Sequence, residues 1–191
     1  VGSEMCIRDS LKLDDVIVDL DLTPNRSDCL SMVGLARETA LINELDWSPI
    51  DPPTVTPVIE DTFPVTLDTG SGCPQFVGRV VKGIDTGQQS PLWMREKLRR
   101  SGVRSIDPVV DVTNYIMLEM GQPMHAYDLS RLSGRIVVRT AGDNEELTLL
   151  DEQKVIIEPG TLLITDESGP IGLAGIMGGL STAVSGTSVD I

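Results

Sequence analysis

At 191 residues, with 40% apolar side chains, the chain has material for one large domain or for a domain with part of a neighbour. No apolar run reaches the roughly 18 residues of a membrane-spanning helix. A formal charge of −14 argues against a free-standing nucleic-acid binder, because phosphate contact needs a positive surface.

The first ten residues, "VGSEMCIRDS", have neither a strand nor a helix period and no signal-peptide core; they resemble a translated adapter remnant and are set aside as a non-native leader. Next, "LKLDDVIVDLDL" alternates apolar positions at Val16, Val18, Leu20 and Leu22, which predicts a half-buried strand. "TPNRSD" breaks it, and Ser27 or Asp28 is placed to cap the helix "CLSMVGLARETALINEL". Six of the twelve prolines fall between Pro49 and Pro74, which predicts an extended linker with a domain boundary near residue 52.

The second part opens with the predicted strand "QFVGRVVKGI". Ser90 is expected to cap a helix with Pro91 at its first position, ended by Gly102. Thr113 is expected to cap a short helix, "NYIMLEMG", that is apolar nearly all round and therefore buried. From residue 135 onward the pattern is β: "RIVVRTA", "ELTLLD", "KVIIE", "TLLITD" and "IGLAGIM", separated by turn-rich "DEQ", "PG" and "ESGP". Helices followed by closely spaced strands predict an α+β fold with an antiparallel sheet and a few short helices.

Chemistry-bearing residues are few. The cysteines Cys6, Cys29 and Cys73 lie far apart without CxxC spacing and read as reduced thiols of a cytosolic protein. Scattered cysteines and a lone histidine give no metal site, and without a GxSxG elbow no serine stands out as a nucleophile. "GLAGIMGG" lacks the following helix that a dinucleotide-binding loop requires, so it reads as a strand end or a place of close backbone approach. Between Arg79 and Arg104 seven basic residues face Asp85 and Glu96, a segment of +5 within an acidic chain; a solvated helix face and a local phosphate contact both explain it.

His125, the single histidine, follows a helix that Gly121 ends and Pro123 cannot continue. That puts it on a constrained exit loop, where a functional group and a backbone-satisfied core histidine are equally open. Thr113 and Asn114 read as helix cap and first-turn residue, or as polar groups bordering the same cleft as His125.

"TPNRSDCLSMVGLARE", "SPLWMREKLRRSGVRSIDPVVDVTNYIMLEMGQPMHAYD" and "LAGIMGG" occur in this order from about residue 11 to 180. Together they resemble the β-subunit family of bacterial phenylalanyl-tRNA synthetases. The resemblance implies that residues 11–52 are the C-terminal half of a small N-terminal domain. Residues 53–191 are then a tRNA-binding and editing domain that hydrolyses tyrosine wrongly esterified to phenylalanine tRNA, truncated at its C-terminus. It implies editing roles for His125, Thr113 and Asn114, and a substrate-binding wall from Arg104, Pro123, Gly178 and Gly179, with no metal. The family's glutamate that reads the tyrosine hydroxyl is expected beyond Ile191. The implied partners are tRNA(Phe) and the α subunit in an α2β2 heterotetramer of the cytoplasm, with no membrane. No cofactor is expected in this part, ATP and Mg belonging to the α subunit. A non-catalytic scaffold or tRNA-contact module is the other reading, and no general base is assigned.

Overall fold

The computed structural model describes residues 8, 9, 11, 13–70 and 72–191, so Cys6 and most of the leader lie outside the described residues. The chain forms two compact units, each built from two stretches of sequence: the described residues up to Thr54 with Gln88–Met124, and Val55–Gly87 with His125–Ile191. Among the described residues all α-helices fall in the first unit and all strands in the second, which makes the fold α+β.

In the first unit, residues 13–22 form no strand, and the side chains meant for a buried face are open, Val16 at 82% and Val18 at 70% exposure. Alternation marks a strand only where a ladder partner and a covering layer exist, and neither is present among the described residues. Asp15 instead pairs with Arg100.

Helix α1 spans Met32–Ile42 and is capped by Ser31, whose hydroxyl accepts the Gly34 N–H at 3.1 Å. The expected caps Ser27 and Asp28 lie in a 3-10 turn, Ser27–Cys29, that precedes it. That turn packs so closely on α1 that a Cβ on Gly34 would sit 2.9 Å from the Asp28 carbonyl carbon, hence the glycine. Arg26 fastens the turn, donating to Glu38 (2.9 Å), the Cys29 sulfur (3.0 Å) and Asp28 (3.1 Å).

Helix α2 spans Leu92–Arg100, with Pro91 at its N-cap position and no side-chain cap bond. Ser90 does not cap it, because its hydroxyl is committed to Asp111. Gly102, at φ +77°, follows the last turn as expected. Helix α3 spans Pro108–Met120, six residues longer at its start than the pattern suggested. Its cap is Asp107, whose carboxylate accepts the Val109 and Val110 N–H groups at 2.9 and 3.0 Å, with Pro108 pre-set for the first position. Thr113 and Asn114 are therefore helix interior, and Thr113 Oγ1 donates to the Val110 carbonyl at 2.9 Å. Nor is α3 an apolar buried rod. Its one fully buried residue is Asp111, which accepts from Ser90 Oγ (2.5 Å), Ser105 Oγ (2.6 Å) and the Ile106 N–H (2.9 Å). Burial pushes its carboxyl upward, but the hydrogen bonds from Ser105, Ser90 and Ile106 outweigh that and hold it below the usual range.

The second unit holds a five-stranded sheet in the order β1-β2-β5-β6-β7 and a separate hairpin, β3-β4. The strands are β1 Val65–Asp68, β2 Ile136–Thr140, β3 Glu145–Thr148, β4 Lys154–Ile157, β5 Leu162–Asp166, β6 Gly169–Leu173 and β7 Met177–Gly178. Strand β1 lies inside the stretch read as linker and runs parallel to β2, so the sheet is mixed rather than wholly antiparallel. Proline at 64 precedes β1 and leaves its N–H ladder intact, which the proline count alone did not reveal. The expected strand at 75–84 is not regular; only Val81 and Ile84 pair, with Ile191 and Val189.

Both faces of the sheet are packed. Leu163 joins Ala141, Leu147, Leu149 and Ile157 on one face, while its neighbours Leu162 and Ile164 turn to a second cluster around Ile136, Val138 and Ile171. Tyr127 packs against that second cluster.

Candidate functional site

"GIMGG" is the turn and return strand of the β6-β7 hairpin: Gly172 pairs with Gly178 and Leu173 with Met177. Gly175 takes φ +73° at the turn, and no helix follows. The glycines serve close approach. A Cβ on Gly179 would lie 2.7 Å from the Ile171 carbonyl oxygen and 2.8 Å from Leu147 Cδ1. A Cβ on Gly178 would clash with the Cε1 side of the His125 ring, 2.5 Å from Nε2 and 3.0 Å from Nδ1. The imidazole thus rests directly on the Gly178 backbone.

His125 is seated from another side by Tyr127, edge-to-face at a centroid distance of 4.6 Å and an interplanar angle of 74°. The i, i+2 spacing of "HAY" in extended chain brings both rings to one side. The imidazole has one packed face and one solvent-facing side. Desolvation by the packed side pushes its pKa below the ordinary 6.5, so the neutral ring predominates at pH 7. The Tyr127 hydroxyl is pushed up to about 12, again by burial. No hydrogen bond reaches either His125 nitrogen among the described residues. The ring is therefore neutral, accessible and free to hold a water, but among the described residues no carboxylate stands behind it to strengthen it as a base.

The next residue is fixed firmly. Asp128 accepts from Ser130 Oγ and Ser188 Oγ, both at 2.6 Å, and these bonds hold its carboxyl below the usual range. Its N–H donates to the Thr182 carbonyl at 2.9 Å.

The sequence-predicted residues divide between the units. His125, Gly178 and Gly179 belong to the second; Arg104, Thr113, Asn114 and Pro123 belong to the first. Arg104 and Pro123 are exposed, and Thr113 and Asn114 are half-buried on α3. The basic run is split as well. Arg79 and Lys82 are in the second unit, where Lys82 pairs with Asp61. In the first unit Arg99 pairs with Glu96 (2.9 Å), Arg100 with Asp15 and Glu96, Arg95 donates to Gln89 (2.8 Å) and Lys97 to Tyr115 (3.2 Å). Most of that positive charge is engaged within the unit, which favours the solvated-face reading. Asp28, Cys29 and Glu38 bring three ligand-type groups together, but the Arg26 guanidinium already binds all three. Sequence reasoning missed Tyr127 and Asp111. For Tyr127 the signal was its same-side spacing from the only histidine; for Asp111 it was the serines at 90 and 105 on either side of α2.

Residues 72–191 match the B3/4 domain family. The chain belongs to this family. Over nearly its whole length it is similar to β subunits of phenylalanine–tRNA ligase: 53% identical over 185 residues to that of Hahella chejuensis and 52% over 191 residues to that of Methylococcus capsulatus. These alignments cover 97% and 100% of the chain but 23% and 24% of the relatives, so the chain spans about a quarter of their length. An N-terminal fragment of the phenylalanyl-tRNA synthetase β subunit from Pyrococcus horikoshii has a similar fold, with a TM-score of 0.53 at 16% identity, covering 98% of this chain and 61% of that one.

Proposed function

We propose that the chain is the tRNA-binding and editing part of a phenylalanine–tRNA ligase β subunit, and that it hydrolyses tyrosine esterified to tRNA(Phe). The observation that carries this reading is the neutral, solvent-open His125 ring seated on Gly178. A side chain in that state can orient a water without first losing a proton. In the reaction the water oxygen bonds to the ester carbonyl carbon, the carbon–oxygen bond to the ribose breaks, and the water proton passes to the ribose oxygen. Free tyrosine and intact tRNA result. Ester hydrolysis asks mainly for placement of that water, so the absence of a hydrogen-bonded relay behind His125 is compatible with it. Through the resemblance of their motifs, Thr113 and Asn114 are assigned catalytic roles with His125, and Arg104, Pro123, Gly178 and Gly179 are assigned to substrate binding. A larger α2β2 assembly in the cytoplasm, with ATP and Mg handled by the α subunit, completes the proposal.

A pocket that accepts the phenylalanine ring cannot fully exclude tyrosine, whereas a second site with a polar group for the extra hydroxyl spares the correct product. The test grafts this sequence into the Hahella chejuensis β subunit in place of its matching segment, co-expressed with the α subunit. Deacylation of purified Tyr-tRNA(Phe) is followed beside ordinary phenylalanine charging. His125→Ala is expected to slow tyrosine release while charging continues. Equal loss of both activities would make His125 a folding residue, and unchanged deacylation would leave a non-catalytic scaffold.

A further inference from the structure

A histidine that must hold a water needs a fixed ring, and hydrogen bonding to its second nitrogen is the usual means of fixing it. His125 has no such bond among the described residues. Its orientation has to come from packing, and two surfaces supply it: the bare backbone of Gly178 and the ring of Tyr127. Tyr127 is well placed for this. It packs against the core cluster of Ile136, Val138 and Ile171, and its backbone bridges to Ala183. Asp128 beside it is tied to Thr182, Ser130 and Ser188. Its hydroxyl end lies beside Gly172, where a Cβ would make only ordinary contact with the oxygen, at 3.9 Å. That hydroxyl has no hydrogen-bond partner among the described residues, so the flat ring is the part that acts.

We propose that Tyr127 is the positioning residue of the editing site, its core-anchored ring holding the His125 imidazole edge-to-face over Gly178 in the orientation that presents a nitrogen to the attacking water. The proposal rests on the hydrolytic reading for its consequence, but its geometry can be tested without it. Because His125 is the only histidine, its Cε1–H and Cδ2–H nuclear magnetic resonance signals in the 191-residue chain need no assignment. They carry the ring-current shift of the adjacent tyrosine.

Tyr127→Phe keeps the flat ring and is expected to leave these signals and the Tyr-tRNA deacylation rate of the grafted assembly near those of the parent. Tyr127→Met keeps much of the volume but removes the flat face, and Tyr127→Leu removes both. Each is expected to move the signals toward those of free imidazole and to lower kcat for deacylation about 100-fold, the effect of roughly 1 Å of misplacement, with KM little changed. A thermal melt of each variant checks folding, and the methionine variant keeps the test open if the leucine variant unfolds. Histidine signals unchanged in a folded Tyr127→Met chain would overturn the proposal, as would equal damage from phenylalanine and methionine. A parent assembly that deacylates nothing would overturn the hydrolytic reading alone and leave the signals to decide the positioning.

Discussion

Replacing Gly178 with alanine should separate the seating of His125 from the stability of the fold. The backbone at 178 lies outside the left-handed region, so space alone excludes a side chain. The new Cβ would start nearest to His125 Cε1 and 2.5 Å from Nε2, and ordinary contact lies near 3.5 Å, so the ring must retreat by more than about 1 Å. His125 is exposed on its other side and can swing outward. The stability cost is therefore expected to stay below about 1 kcal/mol, since overpacking costs about 1–3 kcal/mol where the neighbour cannot yield. Misplacement by about 1 Å, in contrast, is expected to reduce deacylation roughly 100-fold. Urea unfolding of the isolated chain, its histidine signals and Tyr-tRNA deacylation by the grafted assembly give the three readouts. Gly179→Ala is the comparison: its Cβ meets the Ile171 carbonyl, which belongs to the sheet backbone and cannot swing away, so stability should fall by about 1–3 kcal/mol. If Gly178→Ala lost as much stability as Gly179→Ala, or left the histidine signals in place, the steric reasoning would be wrong.

Asp111→Ala should destabilise the first unit by about 3–5 kcal/mol in urea titrations, because three donors would lose a buried anionic acceptor; a loss under about 1 kcal/mol would mean that water reaches Ser90 and Ser105. The Tyr127 pKa, raised from 10.0 to about 12, predicts a pH effect of definite sign. Its stabilising contribution is complete below pH 10 and is lost as pH rises toward 12, to a limit of about 2–3 kcal/mol. Tyr127→Phe should abolish that part of the alkaline loss, and parallel stability profiles for parent and variant would refute the assignment.

The β-rich second half was legible because its strands carry their own signals: alternating apolar residues, and turn residues at "DEQ", "PG" and "ESGP" that fix where the chain reverses. The end of α3 was equally clear, since Gly121 adopts φ +78° and Pro123 forbids continuation. Local sequence also showed that "GLAGIMGG" needed close approach without a phosphate-binding helix. It misled at residues 13–22, where alternation was present but no ladder was, and at Thr113, where the Asp107–Pro108 pair had already started the helix. Other features depend on partners distant in sequence. Strand β1 exists because β2, some seventy residues later, accepts it in parallel register, and no local pattern encodes that pairing. Asp111 is an ordinary helix residue until Ser90 and Ser105 converge on it. His125 was visible as a lone histidine on a stiff loop, but its state was not. Only the return of β7 brings Gly178 beneath the ring, and only the core beneath Tyr127 gives the ring a fixed wall, and the partial desolvation of that seat pushes the imidazole pKa down.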